Sequence, residues 1–357
     1  GTPMTDLSRI DPNFAVPTCA RDGFGFYDAC RAPFALPGLL YDGGRFRRMP
    51  ADAARSVSPG VEALHANTTG GRLFFRTDSP RVFLRAHTDA VTLKPHYAYT
   101  GTAGFSMYTS VGGGPFVYDG TFIPPLPSEA GFDSALTTLT DGGERDVMIC
   151  FPMFSDVLRL EIGLIEGATL TPPRHRYRLP APVVYYGSSV THGACSSRPG
   201  CAYPDLLSRA LDIDYLNLGF SGSAKGEPPM AAYIASLSMS AFVLDYDYNA
   251  PTPAHLAATH EPFFRTVRAA HPDLPVLFLS RPVRTLNPEN KLRCEIVRRT
   301  YERALADGDG HVAFLSGPEL MALAGEDGTV DTRHPTDAGF LSMARAVEPV
   351  LRRLLGL

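Results

Sequence analysis

Val183-Val184-Tyr185-Tyr186-Gly187-Ser188-Ser189-Val190-Thr191-His192-Gly193 is the stretch on which the fold turns. Its first four residues are apolar or aromatic without interruption, the pattern of a short strand covered on both faces. From Gly187 to Gly193 small and hydroxyl-bearing residues break that run, as a chain leaving a sheet through a sharp turn requires.

Toward the C-terminus the pattern repeats. Tyr203 to Leu211 reads as a helix, Ile213 to Leu218 and Ala241 to Tyr246 as strands, and about His260 to Ala270 as a helix. Val276 to Leu279 is a further strand, followed by a helix over about Asn290 to Ala306, a strand from His311 to Leu315 and a last helix from about Thr336 to Leu355. Strands alternating with helices predict an α/β domain over residues 179–357, with helices on both faces of a parallel sheet.

Toward the N-terminus the grammar changes. Arg72 to Arg76, Val82 to Ala86, Gly104 to Tyr108 and Pro115 to Tyr118 are short apolar runs. Turns rich in glycine separate them, among them Thr69-Gly70-Gly71, Gly112-Gly113-Gly114 and Asp141-Gly142-Gly143. With almost no helical period, residues 1–178 are expected to form an all-β sandwich or jelly-roll. Thr171-Pro172-Pro173 and Leu179-Pro180-Ala181-Pro182 read as a stiff linker between the halves.

Composition excludes several classes. The 357 residues are 44% hydrophobic and 20% charged, with a formal net charge of −4, and basic residues form no dense run, so neither nucleic acid nor an acidic membrane surface is an expected partner. No transmembrane run and no signal peptide is read, and Met4 is taken as the natural start, which points to the cytoplasm. Among six cysteines, Cys195 and Cys201 are close enough to staple one loop, although free thiols suit a reducing compartment. His255 and His260 have no zinc-motif spacing, and no metal or cofactor is expected. The oligomeric state stays open.

The chemistry-bearing residues all fall at predicted strand ends, the edge where parallel sheets place their ligands. Ser189 follows the first strand, and glycine at 187 permits a turn that presents a hydroxyl and backbone amides. Gly222, in Gly219-Phe220-Ser221-Gly222, could bring an N–H close to a developing oxyanion, and the Asn249 amide is a neutral donor for the same charge. His334 lies ahead of the last helix, with Asp331 three residues before it, near enough to accept from Nδ1 and fix the tautomer. These are the parts of a serine-dependent acyl transfer. His192, Lys225 and Glu227 sit close to these blocks and are candidate substrate contacts, the alternatives being a structural role in the turn for His192, and mutual pairing or orientation of the block for Lys225 and Glu227.

Ser189, Gly222, Asn249 and His334, with Asp331 in an Asp-x-x-His position, resemble the four blocks of the SGNH or GDSL-type hydrolase superfamily. Gly187-Ser188-Ser189 stands where Gly-Asp-Ser is usual. The match is better to a branch with a Gly-Ser-Ser-Ile-Thr-x-Gly serine block and a β-rich N-terminal domain, to which Asn217-Leu218-Gly219-Phe220-Ser221-Gly222 and Arg76-Thr77-Asp78-Ser79-Pro80 are also similar. The resemblance implies a flavodoxin-like catalytic domain and hydrolysis of small acyl esters. It further implies a small-molecule or oligosaccharide substrate, carbohydrate O-acetyl groups first, with an oxyanion held by the N–H groups of Ser189 and Gly222 and the Asn249 amide. A lipid or thioester acylhydrolase, or an inactive sugar-binding protein, are the alternatives.

Overall fold

The computed structural model describes residues 19–21, 23–89, 91–126 and 130–357, so the reading of Met4 as the start lies outside the described residues. The α/β half follows from the sequence pattern. Five parallel strands run side by side in the order Tyr215–Gly219, Val183–Gly187, Ala241–Asp245, Val276–Leu279 and Val312–Leu315. This is the 2-1-3-4-5 order of flavodoxin-like sheets. Along the first strand, Val184 and Tyr186 point into one apolar layer and Val183 and Tyr185 into the other.

Helices Pro228–Ala235, Pro253–Ala270 and Pro288–Ala306 fill the first layer. Tyr203–Leu211 and Asp337–Leu355 fill the second, making a three-layer α/β/α body. Helix Pro253–Ala270 begins seven residues before the expected start. Thr252 caps it, its Oγ1 accepting from His255 N at 3.0 Å, and Pro253 has the fixed φ that a first helical turn needs. The early turns carry alanines at 254, 257 and 258, which add helix propensity and little amphipathic signal.

Among its described residues the first half holds two large antiparallel sheets and a small hairpin, Leu40–Asp42 with Arg45–Arg47. One has the order Cys19–Arg21, Phe24–Asp28, Val157–Ile165, Arg81–Thr88 and Phe132–Thr137, the other Arg72–Thr77, Arg145–Cys150, Phe105–Ser110 and Val117–Phe122. Alternate residues of facing strands meet between the sheets: Leu73 and Phe75, Val82 and Leu84, Val147 and Ile149, Leu160 and Ile162. The intervening Phe74, Tyr108, Met148 and Cys150 are buried on the other face of the second sheet, with Phe116 and Tyr177 packed against them. Burial on both faces explains why these strands read as continuous apolar runs.

Two features depart from the expected β-only first half. Helices Ala51–Val57 and Pro59–Leu64 lie there, and Met49, Ala54 and Val61 join the apolar layer of the parallel sheet. The proline-rich stretch is also pinned at points along its length. Arg178 N donates to Asp212 O, and the Tyr177 hydroxyl accepts from Arg72 at 2.7 Å. Buried Arg72 also pairs with Asp214 at 2.9 Å and covers the Tyr215 ring.

Candidate active site

Strand Val183–Gly187 delivers the chain to the rim of the sheet, where Ser188 caps a single helical turn, Ser189–His192. The Ser188 Oγ accepts from Val190 N at 3.2 Å, which leaves Ser189 as the first helical residue. A side chain at Gly187 would put its Cβ 2.2 Å from Thr191 Oγ1 and 2.4 Å from the Asp245 carbonyl oxygen, so only glycine allows this elbow. Gly219 is bound by the same logic: a Cβ there would meet His192 N at 2.3 Å.

His334 comes from a turn built around its own aspartate. Asp331 Oδ1 accepts from the backbone N–H groups of Arg333 and His334 at 3.0 and 2.7 Å, and Thr332, between Asp331 and Arg333, is in the left-handed region at φ 68°. Asp331 Oδ2 binds His334 Nδ1 at 2.6 Å, and His334 Nε2 lies 3.1 Å from Ser189 Oγ. Partial burial works to raise the Asp331 pKa, but the hydrogen bonds from His334 and Arg333 outweigh it and hold the carboxyl below its usual range. An ionised carboxylate on Nδ1 and a hydroxyl on Nε2 form a proton path from serine to imidazole.

The remaining candidate donors stand at the neighbouring strand ends. Gly222 is exposed in the left-handed region at φ 72°. Asn249 ends a short 3-10 turn, Asp247–Asn249, and its Oδ1 accepts from Ala224 N at 3.2 Å. With the carbonyl side of that amide engaged, Nδ2 is left to donate.

The three candidate substrate contacts divide differently. His192 is fully buried and stacked on Phe154 with ring centres 3.8 Å apart, so the expectation that it touches substrate is corrected. Its Nε2 donates to Met153 O at 2.7 Å and its Nδ1 accepts from Ser221 N at 3.3 Å. Burial, with Arg48 nearby, pushes its pKa far below the ordinary value, and the neutral ring fixes the Ser221 loop. Glu227 accepts from Lys225 N at 3.0 Å and from the Tyr186 hydroxyl at 3.3 Å, which shapes the loop after Gly222. Lys225 is exposed, its carbonyl accepting from His255 Nε2 at 2.7 Å.

Other residues organise the site in roles that were not read from sequence. Asn217, inside a buried strand, donates to Thr191 O and accepts from Gly219 N, both at 2.8 Å, and so ties the serine helix to the Gly222 loop. An amide in the middle of an apolar strand is a signal that could have found it. Arg48 sends its guanidinium to the carbonyls of Leu64, Asn67, Asn217 and Gly219 at 2.6–3.0 Å. Burial lowers its pKa to about 9. Beneath the elbow, Thr191 and Tyr203 each donate to Asp245 at 2.9 Å; burial pushes that carboxyl up to about 7 against those bonds.

The first half also reaches the rim. Tyr97 places its hydroxyl 3.3 Å from Ser221 Oγ, and the His96 ring centre is 5.5 Å from that of His334. Beside them lies an open groove of about 500 Å³, bordered by Pro95, Ala98, Ser197 and Asp337. Cys195 and Cys201 are both free thiols, which settles the disulfide question.

This three-layer body with its rim of hydroxyl, imidazole and amide groups defines a class, the acylhydrolases built on a flavodoxin-like sheet. Residues 180–352 match the GDSL-like lipase/acylhydrolase family and residues 24–170 the N-terminus of SGNH-hydrolase-type esterases; the chain belongs to this family and is a carboxylic ester hydrolase. Among solved structures it is similar to a GDSL-like lipase from Bacteroides ovatus, at 26% identity and a TM-score of 0.83 over 93% of this chain and 98% of that one. A salicylyl-acyltransferase from a tetracycline biosynthetic pathway shares the fold at 21% identity, with a TM-score of 0.76 over 94% and 98%. So does a family two carbohydrate esterase from Clostridium thermocellum in complex with cellohexaose, at 12% identity and a TM-score of 0.62 over 90% and 99%. No curated protein matches the chain in sequence.

Proposed function

We propose that this enzyme hydrolyses small acyl esters of carbohydrates, O-acetyl groups first among them, through an acyl-enzyme on Ser189. The observation that carries the reading is the continuous line from Ser189 Oγ to His334 Nε2 at 3.1 Å and from His334 Nδ1 to Asp331 Oδ2 at 2.6 Å.

Ser189 Oγ attacks the ester carbonyl as its proton passes to His334 Nε2, and the imidazolium is steadied by Asp331. The oxyanion of the tetrahedral intermediate takes hydrogen bonds from the N–H groups of Ser189 and Gly222 and from Asn249 Nδ2. Its collapse breaks the bond to the alcohol oxygen, which receives the proton held on Nε2. Water then gives a proton to Nε2 and attacks the acyl-enzyme, and Ser189 recovers its proton as the carboxylic acid leaves.

The open groove beside His334 suits a bulky, polar alcohol, and the fold is shared with the carbohydrate esterase noted above. Hydrolysis of p-nitrophenyl acetate by the wild type and its loss in Ser189→Ala is the expected result. Equal rates in the two would remove Ser189 from the reaction. Comparison of acetyl with octanoyl esters, and of acetylated with unmodified xylo-oligosaccharides, tests the substrate class. A preference for octanoyl would turn the reading toward a lipid or thioester acylhydrolase.

A further inference from the structure

Three side chains with metal-binding atoms converge at His334, on the side that faces the groove. His96 comes from the first half, Cys195 from the loop after the serine helix, and His334 from the Asp331 turn. One ligand atom from each lies within 4.8 Å of the other two. Cys195 is a buried, free thiol held at φ 68°, a left-handed conformation that non-glycine residues seldom adopt. His96 and His334 are half-buried, with their ring centres 5.5 Å apart.

We propose that His96, Cys195 and His334 form a binding site for a soft divalent cation, zinc foremost, and that its occupation switches the esterase off. The inhibitory arm rests on the esterase reading; the binding arm does not.

Two imidazoles and a thiol are a donor set that favours zinc over magnesium or calcium. Bonds of about 2.0–2.1 Å to nitrogen and about 2.3 Å to sulfur place tetrahedral ligand atoms roughly 3.3–3.6 Å apart. The trio therefore needs to contract by at most about 1.5 Å, within reach of rotation of the half-buried His96 side chain. His334 would bind through Nε2, because Nδ1 is held by Asp331 at 2.6 Å. That carboxylate–histidine–metal arrangement orients the ring and raises its basicity.

As the zinc–sulfur bond forms, the Cys195 thiol proton leaves to solvent, and the two histidines bind as neutral rings. Ser189 Oγ, 3.1 Å from Nε2, stands next to the fourth position, which it or a water can take. The lone pair given to the metal is the one that removes the serine proton, so metal binding and acyl transfer exclude each other.

The test uses the full chain stripped of metal. Cobalt(II) should give a near-ultraviolet sulfur-to-cobalt charge-transfer band with one-to-one stoichiometry, displaced by zinc and absent in Cys195→Ser. Zinc should inhibit p-nitrophenyl acetate hydrolysis reversibly, with activity restored by a chelator. Loss of one ligand should raise the zinc concentration that halves each variant's own activity by at least about tenfold, in Cys195→Ser and in His96→Ala alike, since even second-shell partners of metals are worth about 10- to 100-fold. His96→Ala, on a partly exposed loop, serves if Cys195→Ser does not fold. No charge-transfer band in the wild type, or inhibition equally strong in both variants, overturns the site. A band with hydrolysis unaffected by zinc overturns the switch. A wild type that hydrolyses no ester counts against the esterase reading alone, and the cobalt band then decides the metal site without turnover.

Discussion

Asp331 grips His334 twice, through its backbone N–H at 2.7 Å and through ring Nδ1 at 2.6 Å, using a different carboxylate oxygen for each. One short turn thereby sets both where the imidazole sits and which nitrogen faces Ser189. The pairing is open to water, since the Asp331 side chain is 36% exposed.

That exposure bears on the first expected outcome. Asp331→Asn keeps an acceptor for the turn but presents an N–H to Nδ1, favouring the wrong tautomer. Its kcat should fall by about 100-fold, short of the roughly 10⁴-fold loss where such an aspartate is buried, because solvent takes over part of its role. KM should change little. Steady-state kinetics with circular dichroism as a fold control measures both.

Asn249→Ala removes a proposed oxyanion donor and also the acceptor for Ala224 N. We expect kcat to drop by about 100- to 1000-fold, with a smaller effect on KM, because the bond forms mainly in the transition state. A variant that keeps the wild-type kcat would exclude the amide from the oxyanion site.

Arg48→Met should destabilise the protein by at least about 3 kcal/mol, because four buried carbonyls lose their shared donor. Arg48→Lys should recover only part of this, since an ammonium cannot span the four acceptors as the planar fork does. Denaturant midpoints, with m-values checked for constancy, give the comparison.

Acid sensitivity should come partly from buried neutral histidines. Burial holds His260 down to about 3, with its Nδ1 bound to Thr300 Oγ1 at 2.7 Å. The unfolded chain protonates this ring below about pH 6.5 while the folded chain does not. Its contribution is therefore complete above about pH 6.5 and is lost as pH falls toward 3, with a slope of up to about 1.4 kcal/mol per pH unit. His192 acts in the same direction. His260→Gln should flatten the fall in stability between pH 6.5 and 4, measured by urea unfolding, without changing the plateau slope above pH 7. An unchanged slope would mean that the ring is already charged in the fold.

Much of the α/β half was legible because its signals are local. Val183 to Tyr186 is too apolar for anything but an interior strand, and helix Tyr203–Leu211 begins and ends where its pattern does. Helices Ala51–Val57 and Pro59–Leu64 were not, because six or seven residues carry too little periodicity, and their burial depends on a partner sheet formed more than a hundred residues later. For His192 the sequence left a substrate contact open beside a structural role in the turn, for a related reason. A histidine beside the serine reads as a site residue, yet the ring is enclosed by Met153 and Phe154 of the other half.

The chain by itself determined which chemical groups are present and that they leave strand ends on one edge, because both follow from short-range periodicity and turn chemistry. Only the tertiary structure decided the distances: Ser189 to His334, His192 to Met153, and His96 to Cys195 and His334. These pairs are separated by between 39 and 238 residues along the chain, and their meeting is set by how two apolar bodies pack rather than by any local preference.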